Sequence, residues 1–175
     1  GLEDVPTIAE PTAPAQYRPV HPLAAGVFAR EQLSAEGYVV DAKPKQVVVV
    51  GHPTLHRDVF ALMKDQSIRL VCLSQCSQVT DPYHRADAVG TTVKVSGQCS
   101  DRWLRLCEAA SDMAAQAVRD TLEEDHGFTG LHVAAGVADT LAVGDSLVLG
   151  ASNPVRDASF VGLPFDGVDT YAPRG

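Results

Sequence analysis

The stretch "QVVVVG", Gln46 to Gly51, decides the fold. Four successive valines with no polar alternation predict a strand covered on both faces, as strands are in a parallel sheet clad with helices. Gly51 stops the run. Thr54 is placed to cap a helix in which Leu55, Val59, Leu62 and Met63 recur at helical spacing. Further strands are predicted at "IRLVCLS" (Ile68 to Ser74) and "TTVKVSG" (Thr91 to Gly97). Upstream, "AAGVFAREQLSAEG" (Ala24 to Gly37) reads as a short helix ending at its glycine.

The same alternation continues downstream. Ser100 opens the longest helix, with Leu104, Cys107, Ala110, Ala114 and Val118 on one apolar stripe and Asp101 at the positive N-terminal end. Gly127 punctuates its end, and Thr129 caps a helix through "GLHVAAGVADTLA" (Gly130 to Ala142). "DSLVLGA" (Asp145 to Ala151) is a strand, "NPVRDASFVGL" (Asn153 to Leu163) a short helix capped by Asn153, and "GVDTYAP" (Gly167 to Pro173) a last strand. Strands alternating with helices define an α/β domain with a mostly parallel sheet.

Bulk properties agree with one domain. The chain has 175 residues, 45% of them hydrophobic and 21% charged, enough for a sizeable core. Residues 1–22, rich in Pro, Ala and Thr, read as an extended linker. No apolar run is long enough for a membrane span, and no secretory signal opens the chain. The net charge of −8 argues against nucleic acid or an anionic membrane as the main partner. The four cysteines, Cys72, Cys76, Cys99 and Cys107, lack zinc-site spacing and read as free thiols in a reducing cytoplasm.

Most motifs carry no chemistry. "VVVVGHPTLHR" puts a glycine between strand and helix but lacks the further glycines of a dinucleotide fingerprint, and no Walker lysine motif occurs. His52 and His56 are four apart but have no third ligand, so the six histidines read as surface or capping residues. No G-x-S-x-G elbow is present, and Cys107 falls on the apolar stripe. The stretch after the penultimate strand is different. Arg156 lies in a helix's first turn, where a cation is disfavoured by about 0.3–1 kcal/mol. Ser152, Arg156 and the free backbone N–H groups make an anion pocket at the carboxyl end of a parallel strand, where open α/β sheets bind ligands. Arg174, past the last strand, projects from the same edge. The alternative is a plain ion pair between Arg156 and Asp157 or another nearby carboxylate.

"GDSLVLGASNPVRD" followed by "YAPRG", with "VVVVGHPTLHR" and "TGLHVAA", resembles the MenD family, the thiamine-diphosphate-dependent SEPHCHC synthases of menaquinone biosynthesis. The resemblance runs from about Gln46 onward. It implies the Rossmann-like central domain of a three-domain enzyme, a mostly parallel sheet with helices on both faces, at residues 23–175. Residues 1–22 would then link it to a preceding N-terminal domain, and a C-terminal domain would follow. It implies a cytoplasmic transferase that decarboxylates 2-oxoglutarate and adds the succinyl-semialdehyde unit to isochorismate. Thiamine diphosphate and Mg2+ would serve the full-length homo-oligomer, with no cofactor, metal or catalytic residue in this stretch, which is expected to be inactive alone. Ser152, Arg156 and Arg174 resemble substrate-binding residues of the family; "APRG" stands where the family has an asparagine before the last arginine. The other reading is a non-catalytic, regulatory Rossmann-like module for a nucleotide or an acidic aromatic metabolite.

Overall fold

The computed structural model describes residues 4–14, 17–30, 32–33, 39–76, 79, 81–124, 127–162 and 166–173. The chain divides into two compact units: residues 23–98, and residues 4–22 together with 99–175.

The first unit is built on three parallel strands. Helix α1 (Ala25–Phe28) precedes an antiparallel pair, β1 (Gln32–Leu33) and β2 (Val39–Val40). Then come β3 (Gln46–Val50), α2 (Arg57–Lys64), β4 (Arg69–Leu73) and β5 (Ala88–Gly90). The order is β3-β4-β5, with Val48 opposite Val71 and Val71 opposite Ala88. The valine run forms the predicted strand, but only Val49 in it is buried, and Val50 is 67% exposed. The continuously buried strand is β4, from Leu70 to Leu73, because it lies between the other two. Val49, Met63, Leu70 and Cys72 form the core, so α2 packs on the sheet through the apolar face its spacing predicted. Arg85 secures the turn between helix and sheet: its Nε donates to the Met63 carbonyl at 2.8 Å and its Nη1 to the Ile68 carbonyl at 2.9 Å. These are carbonyls near element ends that have no helical donor.

The second unit carries the long helix. α3 (Asp101–Glu124) buries Cys107, Ala110 and Val118, and the Trp103 N–H donates to Ser100 Oγ at 3.3 Å, as a capping serine should allow. α4 (Gly130–Ala138), β6 (Ser146–Val148), α5 (Asn153–Phe160) and β7 (Asp169–Tyr171) follow. β6 and β7 pair in parallel, Leu147 opposite Thr170. Residues 4–22 are hydrogen-bonded to themselves, Thr7 N–H to the Arg18 carbonyl and Val20 N–H to the Thr7 carbonyl, both 2.9 Å. Pro11, Val20 and His21 of this segment are buried.

Four local expectations differ from the structure. Thr91 to Gly97 is not a strand; the pairing partner of β4 is instead Ala88–Gly90, where the Asp87 carboxylate receives the Leu70 N–H at 2.7 Å and sets the register. Alternating polarity alone makes no ladder when the neighbouring strand is already satisfied. The helix from Ala24 is one turn long, because Gln32 and Leu33 pair with Val40 and Val39; residues 31 and 34–37 of the predicted helix lie outside the described residues. The α2 cap is His56 rather than Thr54. The α5 cap is Ser152 rather than Asn153, which is helical. Among the described residues no helix is long and apolar enough to cross a membrane.

Candidate functional site

The site begins where β6 ends. The ladder continues one bond past the strand, Leu149 N–H to the Tyr171 carbonyl at 2.8 Å, and the chain then turns into α5. Pro154 packs against Gly150 at 3.4 Å from where a Cβ would sit. This closes the turn and leaves Ser152 with φ +73° and ψ −119°. Such a backbone costs a residue with a side chain about 1–3 kcal/mol, and it persists only where the surroundings enforce it. Ser152 is the cap by position, yet its hydroxyl makes no capping bond. The first turn of α5 contains no acidic residue, and Pro154 occupies a position whose N–H has no helical partner.

Arg156 is exposed in that turn and makes no ion pair among the described residues. The pairing with Asp157 is therefore not formed. The Asp157 carboxylate instead lies against Gly130, the first residue of α4, where any side chain would collide with it. A negative group at the electropositive end of α4 is the favoured arrangement. Ser152, whose hydroxyl makes no capping bond, and Arg156, which makes no ion pair among the described residues, are thus both exposed and stand four residues apart across the start of α5. Together they offer what a carboxylate needs: two parallel donors, a third O–H donor and a positive dipole end. β7 ends at the same edge as β6, and Arg174 lies three residues beyond it, outside the described residues.

Other sequence candidates are dispersed. Gly51 adopts φ +79° and its N–H donates to the Leu73 carbonyl, but α2 starts only at Arg57, so strand end and helix start do not form one cradle. His52 is exposed while His56 is buried, and they are not a ligand pair on one helix face. The histidines are not all surface groups: His21 is also buried, and His132 accepts the Thr129 N–H at Nδ1 (3.2 Å) and donates from Nε2 to the Leu122 carbonyl (3.0 Å). The four thiols are free; burial, with Cys99 adding to it, pushes Cys107 up to about 11, far from a nucleophile's range. Among the described residues no three His, Cys, Asp or Glu side chains could hold a metal. Asp145, in the Gly-Asp-Ser triplet, turns its carboxylate onto its own loop, accepting the Ala142 N–H at 2.8 Å.

Each unit has parallel strands accompanied by helices, which makes the chain an α/β protein. No family model matches it. It is 62% identical over 176 aligned positions to the 2-succinyl-5-enolpyruvyl-6-hydroxy-3-cyclohexene-1-carboxylate synthase of Corynebacterium glutamicum, covering 100% of this chain and 32% of that protein. The Corynebacterium diphtheriae synthase of the same name is 56% identical (100% of this chain, 31% of that protein), and the Mycolicibacterium smegmatis one 45% (99% and 29%). The chain belongs to this synthase family, the SEPHCHC synthases, and spans about a third of the length of the curated relatives it matches.

Proposed function

We propose that this chain is the central domain of a SEPHCHC synthase, residues 23–175 forming the domain and residues 1–22 its approach from a preceding one. The whole enzyme would be a cytoplasmic homo-oligomeric transferase of menaquinone biosynthesis. It would decarboxylate 2-oxoglutarate and join the remaining four-carbon unit to isochorismate. Thiamine diphosphate and Mg2+ belong to other domains in this reading. The task left to this chain is recognition. Ser152, Arg156 and Arg174 bind and orient a substrate carboxylate; the cofactor supplies the chemistry.

The observation that carries the reading is Arg156, which lies unpaired at the start of α5 beside the strained Ser152. A cation left in an unfavourable position within a helix's first turn has a use when an anion arrives. In the full-length enzyme, Arg156→Ala removes a charge-assisted pair worth about 2–3 kcal/mol, so KM for one carboxylate substrate rises about 30–150-fold. Steady-state kinetics with each substrate varied in turn measures this. Unchanged KM for both substrates in a folded variant excludes the assignment.

A further inference from the structure

We propose that His21 is a positioning residue for α5, holding the helix that carries Ser152 and Arg156 in its binding orientation. This rests on the carboxylate-binding reading of those two residues. His21 lies 139 residues before Phe160 in sequence, yet its Nε2 is 2.9 Å from the Phe160 carbonyl. A carbonyl can only accept, so Nε2 carries the proton. Phe160 is the last residue of α5, and its carbonyl is one of the four that helix geometry leaves without an intrahelical donor. The imidazole supplies that donor.

His21 is itself fixed. Its backbone N–H donates to Ser111 Oγ on α3 at 2.9 Å, and the residue is only 9% exposed. Val20, beside it, is buried and bonded back to Thr7. The bond thus ties the end of α5 to α3 through a segment that is internally braced.

The helix is buried unevenly. Ala158 and Ser159, near its end, are fully buried, whereas Ser152, Asn153 and Pro154 at its start are exposed. At about 1.5 Å per residue, Arg156 stands only about 6 Å along the axis from Phe160. A small tilt at the anchored end therefore displaces the guanidinium and the serine hydroxyl together. An error of about 1 Å in a binding group costs up to 100-fold in a reaction that depends on orientation.

The test uses the full-length synthase. His21→Ala should raise KM for the carboxylate substrate that Arg156→Ala affects by about 10-fold, with kcat changed less than about 3-fold. His21→Gln, which keeps an N–H donor, should return KM to within about 3-fold of the parent. If His21→Ala does not fold, His21→Phe, of similar bulk and without a donor, takes its place. Wild-type KM in a folded His21→Ala or His21→Phe enzyme overturns the proposal, as does a KM defect that His21→Gln leaves uncorrected. The Arg156→Ala control separates the two ideas. If it too leaves KM unchanged, the carboxylate site itself is wrong; if only the His21 variants are silent, the site stands and the anchoring role falls.

Discussion

Ser152 combines a strained backbone with the proposed carboxylate-binding hydroxyl, and a pair of substitutions can separate the two. Its φ of +73° is a conformation that glycine adopts at no steric cost. Ser152→Gly relieves about 1–3 kcal/mol of strain and gives back about 0.5–1 in chain entropy, for a net stabilisation of about 0–2.5 kcal/mol. Ser152→Ala keeps the strain and leaves stability near the parent value. Both lose the hydroxyl and weaken carboxylate binding alike. Thermal melts of the two variants, with KM measured beside them, check this; a Gly variant no more stable than the Ala variant shows that the backbone there is not strained. The helix carrying Arg156 was legible from sequence because Asn-Pro after an apolar run marks a helix start. The cap itself was misplaced by one residue, since Asn is as good a cap as Ser and only the backbone angles distinguish them. His21 was not legible at all: its partners lie 90 and 139 residues away, and no local pattern encodes them.

Elements with strong periodicity or unbroken apolar runs were readable: β3, β4 and α3 fall where the residues place them, and α4 starts at Gly130 as placed but ends at Ala138 rather than Ala142. Short elements were not. β5 has three residues, too few for a pattern, and exists because β4 offers an open ladder and Asp87 pins its start. Ion pairs at element ends were equally invisible, and one has a measurable consequence. Lys43, ahead of β3, lies 2.8 Å from the carboxylate of Asp65, the residue closing α2. Lys43 first, and then the Ser67 hydroxyl and N–H, hold the Asp65 carboxyl down from 3.8 to about 2. A carboxyl that binds its proton more weakly when folded stabilises the fold fully above its unfolded value. It loses that contribution as pH falls through about 2. Lys43→Met should therefore cost about 1 kcal/mol at pH 7, screening included, and progressively less between pH 4 and 2. Urea titrations of both proteins across that range test it; a difference that persists undiminished at pH 2 assigns the effect to packing instead.

At the scale of the molecule, the α/β class was evident in the order of strands and helices, but the membership of the two units was not. Residues 4–22 look like a tether by composition, because proline content reports only that regular pairing is unavailable. Yet Pro11, Val20 and His21 are buried, and Tyr17, Arg18 and Val20 line a groove of about 320 Å³ with Leu104, Cys107 and Ser111 of α3. The segment thus forms part of the cover over Cys107, which is 2% exposed and whose thiol burial pushes up to about 11. Thiol chemistry can register this. In the intact chain at pH 8, the exposed Cys76 should react rapidly with a disulfide reagent and Cys99 more slowly. Cys72 and Cys107 should wait for unfolding. Removing residues 1–22 uncovers one side of α3, so Cys107 joins the reactive thiols while Cys72, in the core of the other unit, stays protected. Mass spectrometry of the labelled peptides distinguishes the four sites. If circular dichroism shows the helices intact and Cys107 is still unlabelled, the other neighbours of α3 cover it and the segment is not needed for its burial. If Cys107 is labelled at the rate of an exposed thiol, the proline-rich residues 4–22 are a structural part of the unit that carries α3 and α5.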